Sequence, residues 1–207
     1  IVLTPFKGFN LSGNVGLMND NTRYNALYSQ FAGSSSVDGQ AYVSHSRTFA
    51  INSQLLAEYS TDFGGTDHHF DVLAGYEAYK IKSQSLSGQN DHLFDPTIGE
   101  LNNADGKANM YANSSTSNYM TQGFLGRVQY NYGERYFISG SYRRDASTRF
   151  HKDHRWGNFG SVGAAWLISG EDWMSGASWV NMLKLKASYG VQGNDNLGSS
   201  FPYADQY

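Results

Sequence analysis

The sequence has no cysteine, only three prolines and no long hydrophobic run. Without cysteine there is no disulfide scaffold and no thiolate metal site. A helical membrane span needs about 20 consecutive apolar residues, and the uninterrupted apolar stretches here are far shorter. Neither sign of charge dominates: 15 Lys and Arg stand against 18 Asp and Glu, a formal net charge of −3. That balance argues against nucleic acid as a partner, because nucleic-acid binders carry a basic excess. No G-x-S-x-G elbow, Walker loop or H-E-x-x-H occurs, so neither an enzyme nor a bound cofactor is expected. Ile1-Val2-Leu3 is not a charged segment followed by an apolar one, as a secretory signal would be. The chain is therefore expected to start after processing or in mid-protein.

Glycine and aromatic residues are abundant, with 23 Gly, 15 Tyr and 12 Phe in 207 residues, yet the mean hydropathy is negative. Their placement explains the contrast. Apolar residues alternate with polar ones over roughly 9–17, 49–59, 70–78, 124–132, 136–142, 160–168 and 183–191, the period of a strand with two unlike faces. Of the 35 positions sharing one parity, 30 are apolar and none is charged. The 28 positions between them hold seven apolar residues and six charged ones: Glu58, Asp71, Glu77, Arg127, Lys184 and Lys186.

The connections alternate as well. Long polar loops are expected at about 20–46, 87–118 and 145–157, and shorter turns at about 62–68, 133–135 and 169–181. Long loops on one side and short turns on the other characterise outer-membrane barrels, with the long loops extracellular and the turns periplasmic. Stretches of about 9–11 residues suffice to cross a bilayer at a tilt. Tyr130, Tyr132, Tyr136, Trp173 and Trp179 cluster near the short turns, as interfacial aromatics do. The fold class expected is all-β: an antiparallel up-and-down transmembrane β-barrel segment of about seven to eight strands of a larger barrel. An eighth strand is sought near 199–207. A soluble secreted β-sandwich carbohydrate-binding module and a small non-transporting outer-membrane barrel share the same alternation and stay open. On the barrel reading, "SYRRDASTRF" (141–150) marks where a strand leaves the apolar slab. Arg143 has the parity of the wet face, and Arg144 the parity of the outer face.

Four spaced motifs carry a resemblance. Gly126, Arg127, Tyr130 and Tyr132 form the first. Arg143, Arg144, Asp145, Ser147, Arg149 and Phe150 form the second. Arg155, Trp156, Gly157, Phe159, Ser161 and Trp166 form the third. Leu183, Lys184, Lys186, Ser188, Tyr189, Gly190, Gly193 and Asn194 form the fourth. In this order they resemble the barrel of the SusC/RagA-type TonB-dependent transporters, over about a third of the chain. Ala146 stands where that family often has Gly, and nothing matches its plug or TonB box. The resemblance implies a 22-stranded barrel of which this chain supplies about a third. It also implies a bacterial outer-membrane location and import of oligosaccharide or peptide cargo. The partners implied are outer-membrane lipid, a SusD-like surface lipoprotein, and TonB acting through the missing N-terminal part.

Other candidates read more plainly. Glu58, Glu77, Arg127, Lys184 and Lys186 share the wet parity and are candidate cargo contacts, against mutual pairing and wall hydration. His68 and His69 point to opposite faces of a strand, which disfavours a shared metal; His151 and His154 are a better chelate pair in a loop without further ligands. Asp20, Asp38, Asp91, Asp95 and Asp105 are read as solvated loop acids without Ca²⁺-loop spacing. No metal site is expected. Tyr24, Tyr28, Phe31, Phe94 and Tyr111 are loop aromatics suited to stacking on sugar rings.

Overall fold

A computed structural model of the chain describes residues 1–31, 39–63, 67–105 and 110–195. Eight antiparallel strands form one sheet in chain order, each hydrogen-bonded to the next. They are β1 (Val2–Phe6), β2 (Phe9–Tyr28), β3 (Gln40–Phe63), β4 (His68–Asp91), β5 (Tyr111–Tyr132), β6 (Tyr136–Ser147), β7 (Trp156–Leu167) and β8 (Lys184–Val191). Among the described residues the sheet is not closed.

The eighth strand is at the amino-terminal end. Residues 199–207, where it was sought, lie outside the described residues. β1 pairs with β2 through Leu3↔Leu11, and its register shifts between Leu3 and Phe6. That irregularity, with Pro5 inside it, breaks the alternation that marks the other strands. The turn from β1 to β2 requires glycine: Gly8 has φ +84°, and a Cβ there would overlap the Ser60 carbonyl oxygen. Gly133 (φ 54°) and Glu134 (φ 55°) both take positive φ between β5 and β6. This suits the right-handed twist of a tight hairpin, and the Arg135 N–H donates to the Tyr132 carbonyl at 3.0 Å.

Six strands, β2 to β7, run beyond the alternating stretches. β2 continues to Tyr28 and β3 starts at Gln40, inside the span expected as loop 20–46. β4 ends at Asp91 and β5 starts at Tyr111, inside 87–118, while β6 and β7 trim 145–157 to 148–155. Alternation ends where both faces carry mainly polar residues, although pairing goes on. β3 and β4 have 24 residues each, more than twice the 9–11 needed to cross hydrocarbon.

The chain divides into two compact units. One comprises residues 17–51 and 80–118 and holds a small core of Ala41, Leu93 and Ala104, with Leu101 packed against it. Arg23 and Glu100 form an exposed ion pair there at 3.0 Å. Tyr24, Tyr28 and Tyr111, expected in loops, lie in its strands, and the Tyr24 and Tyr42 rings meet edge-on.

The other unit comprises residues 1–16, 52–79 and 119–207 and contains nearly all of the alternating stretches. Its register keeps parity across four strands. Tyr130 pairs with Ile138, Ile138 with Ala164 and Ala164 with Ala187, so the apolar residues form continuous rows. These rows are uncovered: Ile138 is 58 %, Val162 63 % and Leu185 61 % exposed. Among the described residues there is one sheet, and the buried hydrophobic side chains are Ala41, Ala50, Leu93, Ala104 and Ala146. A sandwich would bury these rows against a second sheet, so that alternative does not describe the molecule.

Candidate functional site

The polar face of the unit containing residues 1–16, 52–79 and 119–207 bears a ladder of side chains from four strands. Asn14 on β2 donates to Gln54 on β3 at 3.3 Å, and Gln54 donates to Glu77 Oε1 on β4 at 2.6 Å. The other Glu77 oxygen receives Arg143 Nη2 from β6 at 2.8 Å. Arg143 Nε lies 2.8 Å from both oxygens of Asp145. The guanidinium thus bridges two carboxylates, which suits its fan of donors.

β5 lies between Glu77 and Arg143, and its glycine makes the crossing feasible. Asp145 pairs with Gly123 on one side and Gly157 on the other. A Cβ at Gly123 would overlap Asp145 Oδ1, so hydrogen at this position leaves room for the carboxylate. Gly157 lies under the Phe159 ring in a similar way.

A second cluster lies above this ladder. The segment 192–195 leaves β8 and turns across the polar face. Gly193 packs so closely on the Phe159 ring that a Cβ would overlap it. Asp195 Oδ2 accepts hydrogen bonds from the Tyr119 hydroxyl at 2.6 Å and the Ser147 hydroxyl at 2.8 Å. Arg149 Nη1 donates to the Asp195 main-chain carbonyl at 3.0 Å and lies 3.7 Å from Oδ1. Its guanidinium stands 4.7 Å over the Tyr119 ring. The Tyr119 hydroxyl first, then Ser147 and Arg149, hold the Asp195 carboxyl below its ordinary range against the opposing effect of partial burial. Together the two clusters border a hollow of about 650 Å³.

The motif Arg143-x-Asp145-x-Ser147-x-Arg149 therefore puts every second residue on the polar face. Arg143, Asp145 and Ser147 lie within β6, so the strand continues to Ser147, into the span expected as loop 145–157. Arg144, of opposite parity, lies 5.1 Å over the Trp156 ring, which stacks on Phe124. It is an aromatic-backed cation on the apolar face.

The candidate cargo contacts do not converge on one point. Glu77 belongs to the ladder. Glu58 and Arg127 border a separate shallow hollow of about 300 Å³ and make no ion pair among the described residues. Lys184 Nζ lies 3.7 Å over the Phe137 ring, and Lys186 borders a third hollow with His69 and Asp71. Of the remaining motif residues, Tyr130 accepts or donates a 2.8 Å hydrogen bond with His68 Nδ1. Tyr189 stands 75 % exposed on the apolar face, while Ser188 and Gly190 hold polar-face positions opposite Gly163 and Ser161. Gly126 lies in a roomy spot, where an added Cβ would stand 3.8 Å from the Leu73 carbonyl oxygen, and the Phe150 main-chain carbonyl accepts from Arg155 Nε at 3.0 Å. His69 lies between Asp62 (2.6 Å) and Asp71 (3.1 Å). Among the acids considered for a cation, Asp38 lies outside the described residues.

Near the short turns, Glu171 joins the aromatic residues. It accepts from the Tyr136 hydroxyl at 2.6 Å and the Trp166 indole at 2.8 Å. Arg135 lies 3.5 Å away, and the Tyr136 and Trp166 rings stack. Trp173 and Trp179 are 66 % and 85 % exposed.

Sequence reasoning missed Asn14, Gln54, Tyr119 and Asp195. Asn14 and Gln54 shared the polar parity and were legible in principle. Tyr119 and Asp195 are 76 residues apart and carry no common pattern.

No family model matches the chain. It is 43 % identical over 72 residues to TonB-dependent receptor P39 of Formosa agariphila, covering 35 % of this chain and 7 % of that protein. It is 27 % identical over 162 residues to TonB-dependent receptor SusC of Bacteroides thetaiotaomicron, covering 77 % of this chain and 15 % of SusC. The structure of the RagAB peptide transporter matches with a TM-score of 0.90 at 23 % identity, over 98 % of this chain and 22 % of that one. That last likeness is one of fold. The chain thus spans a small part of the length of its relatives. The shared sequence and the shared strand order together make this chain similar to a segment of the β-barrel of the SusC/RagA-type TonB-dependent transporters.

Proposed function

We propose that the chain is part of the wall of an outer-membrane importer. One observation carries the reading: a single sheet presents uncovered apolar rows on one face and a connected polar ladder on the other. An apolar face open to its surroundings is stable only against lipid, while the opposite face suits a wet lumen. The 148–155 loop and the polar ends of β2–β5 would then be extracellular, and the turns at 133–135 and 168–183 periplasmic. Cargo is an oligosaccharide or a peptide, the latter in keeping with the likeness to the RagAB peptide transporter. A SusD-like surface lipoprotein is the proposed partner. TonB acts through a region outside these 207 residues. Glu58, Arg127, Lys184 and Lys186 face the lumen as charges open to cargo or to other parts of the protein.

The intact gene product should fractionate with outer membranes and migrate faster on a gel before boiling than after. Its deletion should abolish growth on one oligosaccharide or peptide source and leave growth on the monomer unchanged. Recovery of the intact protein as a detergent-free soluble monomer would sink the reading.

A further inference from the structure

The strap at 192–195 is held by three donors from the wall: the Tyr119 and Ser147 hydroxyls and the Arg149 guanidinium. Two hydroxyls and a guanidinium around one carboxylate are the elements of a carboxylate-binding site. Yet Asp195 fills it imperfectly. Arg149 spends its short hydrogen bond on the main-chain carbonyl, its Nη1 is 3.7 Å from the carboxylate, and its Nε is buried with no hydrogen-bond partner among the described residues. A paired guanidinium edge offers two parallel N–H donors, so a carboxylate free to choose its orientation would satisfy Nε as well. Arg149 is held in place by the Tyr119 ring. The other two acids of the hollow, Glu77 and Asp145, are both committed to Arg143. When Asp195 leaves, the Tyr119 and Ser147 hydroxyls border the hollow, and Arg149, stacked on the Tyr119 ring, is left without an acid.

We propose that Tyr119, Ser147 and Arg149 are a carboxylate-recognition site of the channel wall, occupied in cis by Asp195, and that a carboxylate on an entering solute displaces the strap and opens the hollow. This rests on the reading of the polar face as a lumen. Displacement is an exchange of one carboxylate for another, so no net charge is moved into the wall. Because Gly193, Asn194 and Asp195 border the hollow, release of Asp195 also withdraws one of its sides.

A nitroxide spin label at Gln192→Cys, an exposed position on the strap, reports the event in the intact protein in outer-membrane vesicles. The spectrum should be that of an immobilised label. Asp195→Ala should add a mobile component, and Asp195→Asn, which keeps a hydrogen-bonding side chain but loses the charge, should give a smaller one. Tri-alanine should mobilise the label while its C-terminal amide does not, if the carboxylate comes from a peptide terminus. Trigalacturonate should do so while maltotriose does not, if it comes from an acidic sugar. The proposal is overturned if the label in Asp195→Ala and Asp195→Asn is as immobile as in the parent. It is equally overturned if the charged and uncharged members of both probe pairs act alike. A band that does not shift on boiling would instead remove the barrel reading on which the proposal rests, so the two failures are separable.

Discussion

At Gly123, hydrogen is the only substituent that leaves Asp145 where it is. Gly123→Val should push the carboxylate aside and release Arg143 from one of its two acids. Overpacking of this kind costs about 1–3 kcal/mol, and the Arg143 pairs, being partly exposed, add about 1 kcal/mol or less. The urea midpoint of the heat-modifiable band of the intact protein should fall accordingly. Gly140→Val is the control, since nothing lies within 4 Å of a Cβ there and it points along the apolar face. Its midpoint should not fall. At this scale the sequence was half legible. Arg143, Asp145, Ser147 and Arg149 stand two apart, so their common face follows from strand period alone. That the strand persists as far as Ser147 did not follow, because a dense run of charge resembles a strand end. The partnership of Asp195 with Tyr119 was beyond reach, since only the folded-back strap brings them together.

For the strands as elements, parity is the testable property. Ile138→Lys on the apolar face should cost about 2–4 kcal/mol if the residue lies near the bilayer midplane. Ser139→Lys, one residue on, should be close to neutral on the polar face. Folding yield of the intact protein into lipid vesicles separates the two. The aromatic cluster near the short turns offers a second test through Glu171. The Tyr136 hydroxyl first, then the Trp166 indole, then Arg135 hold its carboxyl below the ordinary range. A lowered value in the folded state means stabilisation that is complete above the ordinary glutamate range and lost as pH falls through the lowered value. Glu171→Gln should therefore be less stable than the parent at neutral pH, and the two should converge in acid, as read from urea midpoints along a pH series. The seven alternating strands were legible because one face avoids water. β1 was not, as Pro5 and its bulge interrupt the period, and the far halves of β2–β5 were not, as both of their faces are polar enough to read as loop.

As a whole, the sheet of the described residues has two edges, one at β1 and one at β8. Unpaired backbone groups in hydrocarbon cost several kcal/mol each, and an open edge is a template for further pairing. The 207-residue chain produced alone should thus associate in detergent, and size-exclusion chromatography with light scattering should show species larger than one chain. Within the sheet, parity forbids strands to slip by one residue, since apolar and polar faces would exchange. It does not forbid a slip by two, which restores every face and moves a strand by about 7 Å. The reach of Arg143 over β5 to Glu77 closes that gap. An ion pair at 2.8 Å cannot survive such a displacement, and Asp145 would lose the vacancy opposite Gly123. The clamp thus acts as a proofreading pin during assembly, rejecting the misaligned barrel that hydrophobicity alone would accept.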